Sequence, residues 1–121
     1  MSALSTARVI GSPGYPLDEA RLLAAAGEAF RRAHDPGGVT RQLAAIQVSG
    51  DRTERLWGIV ASTLVVHGEA DPLVQPAGGR ATAAAIPDAR LLTFPGMGHD
   101  LPRQLWPQLV DEIAAHAAAA G

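Results

Sequence analysis

Cysteine is absent from all 121 positions, which excludes disulfides and thiolate metal sites and suits a cytoplasmic protein. Aromatic residues are scarce at 4%, and much of the 47% apolar share is alanine, so large core-filling side chains are few. No run approaches the ~20 apolar residues that a membrane span needs. The stretch Met1 to Arg8 has neither a basic n-region nor an apolar h-region. Charge of one sign is also lacking: the formal net charge is −2, the isoelectric point is near 6.0, and no Lys/Arg cluster marks one face. Nucleic acid and membrane are therefore not expected as partners. There is no His-x-x-x-His and no carboxylate cluster, and His67 and His99 have no evident third ligand, so no metal is expected. Gly11-Ser12-Pro13-Gly14 and Gly37-Gly38 are not phosphate loops, because neither follows a strand and opens a helix with the required Lys. No cofactor is expected.

The length fits one small domain able to bury a core. Gly11 to Pro16 is dense in turn residues and reads as an irregular lead-in. From Leu17 to about His34 the pattern is helical, with Asp18 and Glu19 at the positive end and a stripe of Leu23, Ala26, Gly27 and Phe30. Asp35-Pro36 resembles an N-cap followed by proline, opening a helix with Val39, Leu43 and Ile46 on one side and an end near Ser49-Gly50. Asp51 and Glu54 suggest a short helix to Trp57-Gly58. The period then changes. Strands are expected over about residues 63–67 and 90–94, joined by a helix from Pro76 to Ile86. A final helix opens at Pro102 or Arg103, with Trp106, Leu109, Val110 and Ile113 facing inward.

Two strands joined by a helix run parallel, which brings their C-terminal ends to one edge of the sheet. Neighbouring strands stand ~4.8 Å apart, so loops leaving Gly68 and Pro95 meet there. Asp71 lies in the first loop and His99 in the second. The carboxylate is placed to accept a hydrogen bond from one ring nitrogen, fix the tautomer and stabilise the imidazolium formed when the other nitrogen takes a proton. Each residue also has a plainer reading. Asp71 precedes Pro72 and is a good turn former, and His99 sits in a Gly-rich loop. Glu69 falls too early to be the better acid, and Asp100 suits a loop cap. His67 reads as structural, His34 and His116 as solvated residues of helical segments, and Trp57 and Trp106 as packing residues.

The segment Leu64-Val65-Val66-His67-Gly68-Glu69-Ala70-Asp71-Pro72-Leu73-Val74 resembles strand 7 and the acid loop of the α/β-hydrolase superfamily. Pro95-Gly96-Met97-Gly98-His99-Asp100 resembles its catalytic-histidine loop, and Trp106 to His116 its terminal helix. The likeness covers about residues 59–119 and is best to small esterase-like members similar to aclacinomycin methylesterases. It implies an α/β fold, the C-terminal fragment of an α/β-hydrolase: residues 59–121 as a β-α-β-α core portion, and residues 1–58 as the remnant of a helical cap. It also implies Asp71 as the acid and His99 as the general base of a Ser-His-Asp triad acting on a small-molecule ester or related acyl bond.

The family nucleophile occupies Gly-x-Ser-x-Gly, and none of Ser2, Ser5, Ser12, Ser49 or Ser62 stands in that frame. The resemblance begins where strands 1 to 6 are expected to be complete. Three readings stay open. The chain is a hydrolase completed by an N-terminal portion that supplies serine and oxyanion donors. It is a catalytically inactive remnant or interaction module, self-associating through an exposed sheet edge. Or it is a hydrolase of new topology built on Ser12.

Overall fold

The computed structural model describes residues 2–121. Helix α1 spans Ala3–Ile10 and is capped by Ser2, whose hydroxyl accepts from the Ser5 amide at 3.2 Å. This helix was not expected, because eight residues give too short a pattern to read. Helix α2, Glu19–Arg32, starts at Asp18, which accepts from the Arg21 amide at 3.0 Å. Helix α3, Pro36–Ser49, starts at Asp35, which accepts from the Gly38 amide at 2.9 Å. Both carboxylates satisfy amides that the first helical turn leaves without partners. Helix α4 is a single turn, Thr53–Leu56. His34 lies in the link between α2 and α3 rather than in a helix, because α2 stops at Arg32.

Strand β1, Leu64–Gly68, helix α5, Pro76–Ala85, and strand β2, Arg90–Phe94, follow in order. The strands pair in parallel, from Leu64 opposite Arg90 to Gly68 opposite Phe94. The expected α/β arrangement is therefore present, with β1 displaced by one residue. A 3-10 turn at Arg103–Leu105 leads into α6, Trp106–Ala120.

Phe94, Met97, Leu105 and Leu109 form the buried core, against which Tyr15, Val66, Leu92 and Trp106 pack. This core sits beneath the C-terminal ends of the strands. Of the four residues expected to face inward from α6, Leu109 is buried and Trp106 half-buried, whereas Val110 and Ile113 are exposed. Their row on the helix has no facing element. Neither α2 nor α3 buries a single residue, and Phe30, Leu43 and Ile46 are all more than half exposed. The chain presents 8507 Å² to solvent. A compact monomer of 12.5 kDa exposes roughly 6,200 Å². The surplus is larger than one partner's share of a standard protein interface, about 800 Å².

Candidate active site

Both loops leave the same edge of the sheet, and backbone hydrogen bonds join them. The Glu69 amide donates to Phe94 O at 3.0 Å and the Ala70 amide to Met97 O at 2.9 Å. The approach is close enough that a Cβ on Gly68 would lie 2.3 Å from Met97 O. Only glycine fits there. Gly96, with φ +74°, turns the histidine loop through a conformation that side chains disfavour.

Asp71 and His99 meet in this frame. The ring Nδ1 of His99 lies 2.9 Å from Oδ2 of Asp71. The second carboxylate oxygen accepts from the amides of Leu73 and Val74, each at 2.9 Å. Asp71 is 8% exposed, and burial raises the pKa of its carboxyl. The Val74 amide, the His99 ring, the Leu73 amide and the His99 charge outweigh burial, leaving the group below the usual carboxylate range. The acid is thus held as an anion with a fixed direction. A ring that donates from Nδ1 carries its lone pair on Nε2, the arrangement of a general base.

His67 is structural, as its strand-end position suggested. Its Nε2 lies 2.7 Å from Val74 O, so the ring N–H pins the end of the acid loop. That nitrogen is also 3.9 Å from Asp71 Oδ2. Room for the ring comes from Gly79 of α5, where a Cβ would fall 2.6 Å from Nδ1. Glu69 is turned away from the pair and accepts from the Thr93 hydroxyl at 2.8 Å. His116 lies 3.3 Å from Ser62 O, and His34 packs on Phe30 with ring centres 4.4 Å apart.

The loop after α1 braces the histidine loop, which the lead-in reading of Gly11 to Pro16 missed. His99 N donates to Ile10 O at 2.7 Å and Gly14 N to Gly96 O at 2.9 Å. The Ser12 hydroxyl accepts from Gly98 N at 2.9 Å and donates to Asp100, which makes Asp100 a partner of this brace. Glycines on both sides were the available signal: a Cβ on Gly98 would lie 2.3 Å from Gly11 O, and one on Gly14 would lie 2.7 Å from Gly96 Cα. Ser12 is therefore occupied in structure, and among the described residues no serine hydroxyl bonds to His99.

His99 stands between two spaces. One is a groove of about 1220 Å³ between α1, α2 and the segment from His99 to Trp106. The other is a smaller pocket of about 320 Å³ walled by Val66, His67, Met97 and Leu101. Among the described residues no three His, Asp or Glu side chains gather as a metal site, and no helix is long and apolar enough to cross a membrane.

A parallel strand–helix–strand unit that delivers a buried acid and an imidazole to one rim is the C-terminal architecture of an α/β-hydrolase. The family model described as TAP-like protein matches residues 42–105, more than half of the chain. The chain belongs to this α/β-hydrolase family. The matched span contains both Asp71 and His99 and begins inside α3.

Proposed function

We propose that this chain supplies the acid and base of a Ser-His-Asp triad that cleaves an ester or related acyl bond. The hydrogen bond from His99 Nδ1 to Asp71, 2.9 Å long, is the observation that carries this reading. In the reaction His99 Nε2 takes the proton of a serine hydroxyl as that oxygen attacks the acyl carbon, and then returns it to the leaving group. Asp71 stays ionised and stabilises the imidazolium. The serine and the oxyanion donors come from an N-terminal hydrolase portion, which pairs with the free edge of β1 and covers the surplus apolar surface. Residues 1–58 act in this scheme as the end of a helical cap and residues 59–121 as the end of the core. A cysteine-free chain suits catalysis in the cytoplasm.

The test is turnover of p-nitrophenyl acetate by the purified chain, alone and mixed with an α/β-hydrolase N-terminal portion that carries Gly-x-Ser-x-Gly. Alone, the chain and its His99→Ala variant are expected to perform equally. In the mixture, His99→Ala is expected to lower the rate by about 10²–10⁴-fold. A mixture whose rate ignores His99→Ala contradicts the proposal.

The large exposed area favours a second reading, an interaction module without activity. It predicts a self-associated species by light scattering, and a compact stable monomer counts against it.

A further inference from the structure

The groove beside His99 is walled largely by apolar residues such as Ile10, Leu22 and Leu101, but three arginines line it as well, Arg8 of α1, Arg21 of α2 and Arg103, and the last two share a neighbour. Both lie against one aromatic ring. The guanidinium carbon of Arg21 is 4.5 Å and that of Arg103 5.6 Å from the centre of the Trp106 ring. The indole is itself anchored, donating from Nε1 to Leu101 O at 2.9 Å.

The other charges on the groove are already engaged. Arg8 pairs with Glu19 at 2.6 Å, Asp18 caps α2, and Asp100 takes the Ser12 hydroxyl. Among the described residues no carboxylate comes within ion-pair distance of Arg21 or Arg103. A guanidinium associated with a ring face interacts through the ring's π-cloud, and its in-plane N–H donors remain free for a planar anion.

We propose that Arg21 and Arg103, gathered on Trp106, bind a carboxylate borne by the substrate, whose apolar body lies along the groove. Calling the ligand a substrate rests on the triad reading above; the anion site itself does not. The guanidinium fork matches two oxygens of an anion, and among such anions a carboxylate is the planar one that an acyl substrate carries. The site would select acyl compounds that carry a free acid group over their neutral counterparts.

The experiment follows Trp106 fluorescence in the full chain with Trp57→Phe, which leaves a single indole. It titrates 4-phenylbutyrate against 4-phenylbutyramide, a probe of equal body without charge. A saturable change with the acid, at least about 10-fold tighter than with the amide and weakened by added salt, is the expected result. Arg21→Gln and Arg103→Gln are each expected to weaken the acid by about 10-fold while leaving the amide unchanged. Arg21→Lys, which keeps charge without the planar fork, is expected to recover only part of the loss. Circular dichroism checks that the variants fold. Equal binding of acid and amide, no binding of either, or glutamine variants that bind the acid like the parent would each overturn the proposal. Selective acid binding in a chain whose partnered turnover ignores His99 supports the anion site while removing the catalytic reading, so the two failures are told apart.

Discussion

Helix α3 and strand β2 both carry apolar runs, yet their fates differ. In β2, Phe94 is 4% exposed, covered by Met97, Leu105 and Leu109. In α3, Val39, Leu43 and Ile46 stand at 59%, 58% and 68% exposure although they share a helix face. Periodicity decides which side of an element is apolar. A facing element decides whether that side contributes to stability. The C-terminal strands have each other, α5 and the two loops at their rim, whereas the row on α3 has nothing opposite it. Of the candidate site, Asp71 lies within the covered region, whereas His99, with its side chain 41% exposed, stands at the rim and is held by the brace from residues 10–14.

Several substitutions test this contrast. The largest effect is expected from Gly68→Ala, where the new Cβ meets the backbone of Met97 and Gly98 rather than a side chain that can move. A loss of about 3 kcal/mol or more in urea unfolding is expected, since neither loop yields without the other. Next comes a matched pair. Leu109→Ala, at a position 5% exposed, is expected to cost about 2–5 kcal/mol, and Leu43→Ala to stay within about 0.5 kcal/mol. Equal effects would abolish the distinction between the two regions.

Asp71→Asn should act through pH. The depressed pKa of Asp71 contributes stability that is complete above the unfolded value of about 3.9 and lost as pH falls through the lower folded value. Denaturant midpoints measured from pH 6 to pH 2 should therefore fall less steeply in the variant, which starts from lower stability at pH 6.

The smallest effect is the most selective. In an open helix interior, Gly→Ala stabilises by roughly 0.5–1 kcal/mol. At Gly79 the new methyl would strike the packed ring of His67, so Gly79→Ala is expected to lower the melting temperature. A rise would show that His67 is free to move and does not clamp the acid loop.

Much of the covered region was legible in the chain. The β-branched run before Gly68, the helix between Pro76 and Pro87, and the short run ending at Pro95-Gly96 defined the strand–helix–strand order. The parallel rule then placed Asp71 and His99 together. Asp18 and Asp35 likewise marked two helix starts by local chemistry alone. The brace from Ser12 to Gly98 was not legible, because it joins segments far apart in sequence through backbone contacts that leave no periodic trace. Helix α1 was missed because its apolar stripe, Ala3, Leu4, Ala7 and Ile10, spans only about two turns, too few to establish a period. The exposure of Val110 and Ile113 was missed for the reason that separates α3 from β2: a stripe does not reveal what lies opposite it.

The central claim is that Asp71 fixes His99 as a base. Nitrogen-15 NMR of the His99 ring, in the wild-type chain and in Asp71→Asn, tests it most directly. The account predicts that neutral His99 in the wild-type chain carries its proton on Nδ1 and that this preference is lost in the variant. A neutral ring protonated on Nε2 in both chains would contradict it.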